Sequence, residues 1–172
     1  MNRRRYTATV IITSIILGLA AGITLNTDTV EKGLQEGETH EHALFYVEVN
    51  KTSLNLRADR FQLQDRDVHL ENNRSRIVHK HAEGITWGNF LDTVNISVKE
   101  KENQTCIEMP ENSYCGNTTV LLNGEKFDRE KQINQGDRLA IVQGTNSKER
   151  AEAYMELTMP QEFQEIEPGR TV

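Results

Sequence analysis

The sequence predicts an α+β protein: a mixed sheet with one short helix and an extra β-hairpin, preceded by a transmembrane helix. Three patterns support this prediction. An uncharged apolar run fills 8–25, a strand-like alternation of apolar residues fills 43–49, and one helical apolar stripe spans 87–94. The folded domain is expected at 40–145, which is long enough for one modest hydrophobic core.

Composition excludes several classes of protein. The chain has 172 residues, which fits one domain with attachments. Its 27% of charged residues and mean hydropathy of −0.63 are too polar for a protein that crosses the membrane several times. The formal net charge of −6 argues against a nucleic-acid partner. Two cysteines exclude a cysteine-based zinc fold and allow one disulfide.

The N-terminus predicts location. Arg3, Arg4 and Arg5 precede the apolar run at 8–25, and 18 helical residues reach roughly 27 Å, enough to cross a bilayer core. We expect a signal-anchor helix within 1–27; the alternative is a cleaved signal peptide, since Gly18 and Ala20 offer small residues for cleavage. In either case the arginines stay in the cytoplasm and the following chain is extracellular. A single-pass protein of the cell membrane is therefore expected, with a polar linker at 28–39.

Five Asn-X-Ser/Thr glycosylation motifs follow the apolar run and none precedes it. They favour an exported glycoprotein, although polar, turn-rich strands also produce such triplets. The motifs begin at Asn50, Asn73, Asn95, Asn103 and Asn117.

Cys106 and Cys115 are predicted to form a structural disulfide near the end of a hairpin, which fits an oxidising compartment. A redox-active pair is more often spaced Cys-X-X-Cys, and that motif is absent from the sequence.

The remaining elements follow from periodicity and turn residues. A hairpin is expected from 68–71 and 77–82, and a helix capped by Thr86 carries Trp87 on its buried face. Strands are then expected at 97–100 or in the stretch reaching Cys106, at 118–122 and at 138–142, with turns at 123–124 and 136–137. An acidic tail fills 146–172; Ser147 is predicted to cap a short helix there, and disorder is expected beyond Pro160.

All five histidines lie between residues 40 and 81. Four of them form two His-X-His pairs, at 40/42 and 79/81, and the fifth is His69. Residues i and i+2 of a strand point to one face, so each pair presents two imidazoles side by side. On the first strand the core side is expected at 43, 45, 47 and 49, which places His40 and His42 on the opposite face.

The second hairpin allows a test of geometry. If its loop is the three residues 73–75, His69 faces His79 and Asp67 faces His81. Directly opposed Cβ atoms lie about 4.5–5.5 Å apart, close enough to share a metal ion. Glu71 would then share the face of His69, whereas a two-residue loop would put His69 and His79 on opposite faces.

We therefore predict a metal site made from six side chains: His40, His42, His69, His79, His81 and Glu71. Neutral imidazoles with few acids favour zinc, copper or nickel over calcium or magnesium. Two other interpretations stay open. The histidines can form a pH-sensitive patch, because imidazole titrates near physiological pH, or they can serve only packing and hydrogen bonding.

Residues 120–127, followed by 133–142, resemble the end of a β-grasp (ubiquitin-like) fold. The small sulfur-carrier proteins of thiamin and molybdopterin synthesis likewise have a strand bearing Leu-Asn-Gly, then a Gly-Asp turn and a last strand. The resemblance implies a β-grasp-like sheet with the helix at 86–94 packed on it. Those carriers end in Gly-Gly, whereas this chain ends Gly-Arg-Thr-Val, so the resemblance implies the fold and not the sulfur chemistry.

A second resemblance covers most of 40–145. The motifs His40-Glu-His42-Ala43, Val68-His69-Leu70 and His79-Lys-His81-Ala-Glu-Gly-Ile-Thr86 resemble a family of exported, membrane-anchored archaeal proteins, some of which carry a loose protein-disulfide isomerase label. The family has His-Leu-His in its middle motif, whereas this chain has His-Leu-Glu. The isomerase label does not fit the two distant cysteines.

Three functions compete at this point. The first is an exported, membrane-tethered domain that binds a transition metal; the second is a non-catalytic cell-surface module that binds a protein partner of unknown identity through its sheet. The third is a metal-dependent hydrolase or oxidoreductase with Glu41, Asp67 or Glu71 as acid or base, and no Ser/His/Asp order, phosphate loop or His-Glu-X-X-His motif supports it.

Overall fold

The computed structural model describes residues 39–74 and 76–163. The apolar run at 8–25, the linker up to residue 38 and the tail beyond 163 lie outside the described residues, so the predictions made for them stay predictions. Within the described ranges, no helix is both long and apolar enough to span a bilayer.

The described chain is a mixed α+β structure, as predicted, and is mostly sheet; it has the expected short helix and a second α-helix in the region predicted to be a tail. In chain order its elements are β1 Glu41–Val49, β2 Thr52–Ser53, β3 Val68–Leu70, β4 Ile77–Lys80, α1 Trp87–Thr93, β5 Ser97–Lys101, β6 Gln104–Met109, β7 Asn112–Gly116, β8 Thr118–Leu122, β9 Glu125–Lys126, β10 Arg138–Gln143 and α2 Ser147–Met155. Short 3₁₀ helices lie at Asp59–Phe61 and Gln161–Phe163.

Seven of the described strands form one sheet in the order β3-β4-β1-β10-β8-β9, with β2 paired to β1. Its two central strands, β1 and β10, are parallel, with Phe45 opposite Leu139, and the other pairs are antiparallel. Parallel strands need a long crossover, and α1 lies within the chain that connects them. This arrangement is compatible with the β-grasp-like fold that the sequence predicts.

Helix α1 covers one face of this sheet. Thr86 accepts a hydrogen bond from the Asn89 backbone and the Asn89 side chain bonds back to Thr86, which makes the predicted N-cap a complete capping box. Trp87 and Phe90 are fully buried and pack with Phe45 of β1 in the main core. The core side of β1 is therefore the odd-numbered side, and the even-numbered residues face away from α1.

The predicted disulfide is present. Cys106 of β6 and Cys115 of β7 are directly paired and joined by a bond of 2.03 Å. They belong to a second sheet with the order β5-β6-β7. The bridge therefore staples a hairpin outside the histidine-bearing sheet.

The first part of the acidic tail packs on the seven-stranded sheet. Ala151 of α2 is fully buried against Ala140 and Val142 of β10, so α2 covers the sheet face opposite α1. The N-cap is Asn146 in the left-handed region, so the prediction that Ser147 caps this helix was wrong. Ser147 is buried in the first turn, where its hydroxyl bonds to Thr119 of β8 and to Asn117, which precedes that strand.

Candidate metal centre

The β3–β4 hairpin brings the first histidines together. His69 pairs directly with His79, and Val68 pairs with Lys80, which confirms the register expected from a three-residue loop. The backbone N–H of His81 donates to the carbonyl of Asp67 at 2.7 Å, as the same register requires. Both hairpin strands therefore present histidines to one face.

The β1–β4 pairing adds the other two histidines. His42 lies directly opposite His79 in this antiparallel pair, so β4 is flanked by a histidine on each side. His40 and His42 lie on the face of β1 away from the main core, as predicted from the alternation along that strand. Three adjacent strands thus place all five imidazoles on one face.

The five rings form a closed circuit. Their centroids are separated by 4.6 Å for His40 and His42, 4.7 Å for His42 and His79, and 6.0 Å for His79 and His69. The circuit closes through His81, at 5.0 Å from His69 and 4.8 Å from His40. Glu71 lies at the rim, beside two of the rings.

Three of these residues meet the requirements of a metal site. His40, His79 and His81 each offer one ligand atom within 4.8 Å of the others. His79 is buried, His81 is half-buried and His40 is exposed, so an ion held here is reached from solvent. Three imidazoles leave one coordination position of a tetrahedral zinc ion for another ligand.

His79 is the unusual member. It is only 2% exposed, and neither of its ring nitrogens has a hydrogen-bond partner. Buried polar atoms in folded proteins are nearly always hydrogen-bonded, because leaving them unpaired costs about 1–3 kcal/mol. The nearest carboxylate oxygen, Oε1 of Glu71, lies 3.5 Å from Nδ1 of His79.

His69 is held in one orientation. Its Nδ1 hydrogen-bonds to the carbonyl oxygen of Asp65 at 2.8 Å. A carbonyl only accepts, so Nδ1 carries the hydrogen and Nε2 presents a lone pair in the neutral ring. A backbone carbonyl that fixes the outer nitrogen of histidine is the usual support of a metal ligand.

The electrostatic environment favours the neutral form of three of these rings, those of His42, His79 and His81. Burial lowers the pKa of His79 to about 4, and burial also lowers the pKa values of His42 and His81. Neighbouring imidazoles add to each shift because a second positive charge in the cluster is unfavourable, while Glu71 opposes it. Neutral imidazole is the form that binds a metal ion.

The C-terminal 3₁₀ helix covers part of the cluster, which the sequence did not predict. The ring of Phe163 makes edge contacts with His42 at 4.9 Å and His79 at 5.6 Å. Its carbonyl accepts a hydrogen bond from the Gln135 side chain at 2.7 Å. Ordered structure therefore continues past Pro160, where disorder was expected; the only sequence signal was one aromatic residue in an acidic tail.

One of the proposed catalytic acids is misplaced. Glu41 forms an ion pair with the buried ammonium of Lys80 at 2.6 Å, and as an odd-numbered residue of β1 it faces away from the histidines. It therefore cannot serve as an acid or base there. Asp67 and Glu71 remain next to the cluster, where they act electrostatically on His81.

Comparison with known proteins identifies no family for this chain. The chain matches no family model, no curated protein and no solved structure. The archaeal His-X-His family and the sulfur carriers remain resemblances drawn from motifs.

Proposed function

We propose that this chain is an exported, membrane-tethered protein whose domain binds a transition-metal ion through its histidine cluster. The observation that carries the proposal is His79. Its two nitrogens are buried and have no hydrogen-bond partner, although four other imidazoles surround it. A metal ion satisfies a nitrogen of this kind, and nothing in the described protein does.

The donor set favours zinc, copper or nickel. These borderline ions prefer imidazole nitrogen, whereas calcium and magnesium prefer oxygen ligands. The only cysteines in the chain are joined in the disulfide, so no thiolate competes for the ion.

Export is supported by three independent features. The chain has a basic N-terminus followed by an apolar run, five glycosylation motifs after that run, and a disulfide that fits an oxidising compartment. The β-grasp assignment is supported by the central parallel pair of β1 and β10 with α1 on one face. On this proposal the scaffold presents the histidines outside the cell.

The test is metal content. The full chain, purified without a histidine tag, is expected to hold at least one equivalent of zinc, copper or nickel by elemental mass spectrometry. A double variant, His40→Ala with His81→Ala, is expected to lose an equivalent. Neither residue is fully buried, so the fold should persist, which circular dichroism verifies.

The matched control is Glu111→Gln, an exposed position in the turn between β6 and β7, and it should keep the metal. A wild-type chain that is metal-free as purified and takes up no added metal would refute the proposal. The histidines would then be structural, and crosslinking for a protein partner on the sheet would be the next experiment.

A further inference from the structure

We propose that the cluster holds two transition-metal ions that share His79. The first ion is bound by His40, His79 and His81; the second lies among Nε2 of His69, the carboxylate of Glu71 and Nδ1 of His79. This inference rests on the proposed metal-binding function and extends it from one ion to a pair.

The first argument is the number of donors. Five imidazoles and one carboxylate meet on one face, and a tetrahedral ion uses four ligands. Within the described part of the chain, the set whose ligand atoms lie mutually within 4.8 Å contains His40, His79 and His81. His42, His69 and Glu71 stand outside that set, and His69 and Glu71 lie side by side with donor atoms of their own.

The second argument is the pair formed by His69 and Glu71. Nδ1 of His69 gives its hydrogen to the Asp65 carbonyl, so the neutral ring turns a lone pair at Nε2 toward Oε2 of Glu71, 3.5 Å away. A lone-pair nitrogen and a carboxylate oxygen at this distance can bind one cation between them. A second metal ion provides that cation and takes both atoms as ligands.

The third argument is that both nitrogens of His79 are unpaired. One ion can satisfy only one of them. Nδ1 lies 3.5 Å from Oε1 of Glu71, on the side where the second ion is placed, so that ion takes Nδ1 and the first ion takes Nε2. When both nitrogens bind metal, the ring releases its N–H proton to solvent water and binds as an anion. This negative charge and that of Glu71 partly balance the two divalent ions.

The ligand is therefore a pair of divalent ions of the zinc or copper class, since four of the five residues that bind them are histidines. The probe is the metal alone. The chelator-stripped full chain, without a tag, is loaded with Zn²⁺, separated from free metal by gel filtration and analysed by elemental mass spectrometry.

Two equivalents are expected in the wild type and in the control Glu111→Gln. One equivalent is expected in Glu71→Gln and in His69→Gln, which remove a ligand of the second ion only. Glu71 is not fully buried, so Glu71→Gln is expected to keep the fold even if His69→Gln does not.

The outcomes separate the two proposals. A single equivalent in the wild type that Glu71→Gln leaves unchanged would overturn the second ion and leave the metal-binding function standing. No bound metal would overturn both, and two equivalents that persist in Glu71→Gln would show that the second ion is not at Glu71. Loading with Cu²⁺ tests the shared ring: the electron paramagnetic resonance signal is expected to integrate to less than the copper content, and two independent signals would overturn sharing.

Discussion

Two buried polar clusters lie on the same face of β1, at its opposite ends, and they differ in how their polar atoms are satisfied. At one end Glu48 is 1% exposed and accepts hydrogen bonds from Arg150 through both oxygens, from Tyr154 at 2.9 Å and from Tyr46 at 3.2 Å. At the other end His79, 2% exposed, has no hydrogen-bond partner for either nitrogen.

The contrast teaches what each cluster is for. The buried Glu48 carboxylate finds all of these hydrogen-bond partners within the chain, so it needs no ligand. Its bonds to Arg150 and Tyr154 tie α2 to β1. A buried group without partners costs folding free energy and persists where it serves a ligand. The Glu48 end is therefore structural, and the His79 end is the candidate site.

The largest expected effect is at the structural end. Arg150→Ala leaves the buried Glu48 carboxylate without its cation, and the thermal midpoint of the full chain is expected to fall by about 5–10 °C. Differential scanning calorimetry measures this change. The control is Lys148→Ala on the same helix, since the Lys148–Glu152 pair at 3.8 Å is exposed and should change the midpoint by less than about 2 °C. Equal effects of the two variants would contradict the structural role of Arg150.

As the pH is lowered, the protein is expected to lose stability through the histidine cluster before it loses stability through Glu48. Burial lowers the pKa of His79 to about 4 from an ordinary value of 6.5, so between these values the unfolded chain binds protons that the folded chain does not. The stability of the metal-free protein therefore falls as pH drops through this range. The Arg150 hydrogen bond lowers the pKa of Glu48 below its usual 4.5, so that end loses stability only at lower pH.

Urea unfolding of the metal-free full chain at pH 7.5 and pH 5 measures this loss. The midpoint is expected to fall by roughly 0.5 M, and His79→Leu should remove much of the difference. An identical fall in His79→Leu would assign the acid sensitivity to other groups.

Replacing each buried group by an apolar residue sharpens the comparison. His79→Leu removes two unpaired nitrogens, so the metal-free thermal midpoint is expected to stay level or rise by about 1–3 °C while metal is lost. Glu48→Leu, by contrast, removes the carboxylate that accepts hydrogen bonds from Arg150 and two tyrosines, and should lower the midpoint. If His79→Leu destabilised the metal-free protein as much as Glu48→Leu does, the His79 ring would be structural.

The smallest effect on stability is expected at Phe163, whose ring covers part of the histidine cluster. Phe163→Ala removes the ring that contacts His42 and His79, so bound metal should transfer to a competing chelator a few times faster in stopped-flow measurements. The thermal midpoint should change by less than about 2 °C, because the residue is half-buried in a short 3₁₀ helix. Gln161→Ala, exposed in the same 3₁₀ helix, is the control. Unchanged transfer in Phe163→Ala would show that the aromatic cover does not limit metal release.

Local features of this protein were predictable because they depend on neighbouring residues. Alternation along β1 correctly placed His40 and His42 away from the main core. Of the two loop lengths that the sequence left open, the observed register agrees with the three-residue loop, which sets His69 opposite His79. The Thr86 cap with its apolar stripe likewise placed Trp87 in the core.

Long-range pairing was not predictable from these patterns. Nothing in either sequence segment says that β1 lies beside β4 with His42 opposite His79, yet this register closes the ring of imidazoles. Glu48 and Arg150 are 102 residues apart, and Phe163 reaches the cluster from the far end of the described chain. Each of these contacts depends on how complete elements pack, which no local periodicity encodes.

The sequence alone determined which residue types were available and which face of each strand they occupy, because side-chain direction alternates within a strand. It thereby determined that five imidazoles and a carboxylate belong to 40–81. Only the tertiary structure decided that they meet, that His79 is buried without a hydrogen-bond partner and that Glu41 pairs with Lys80, because burial and neighbours are set by strand order and by the packing of the C-terminal 3₁₀ helix.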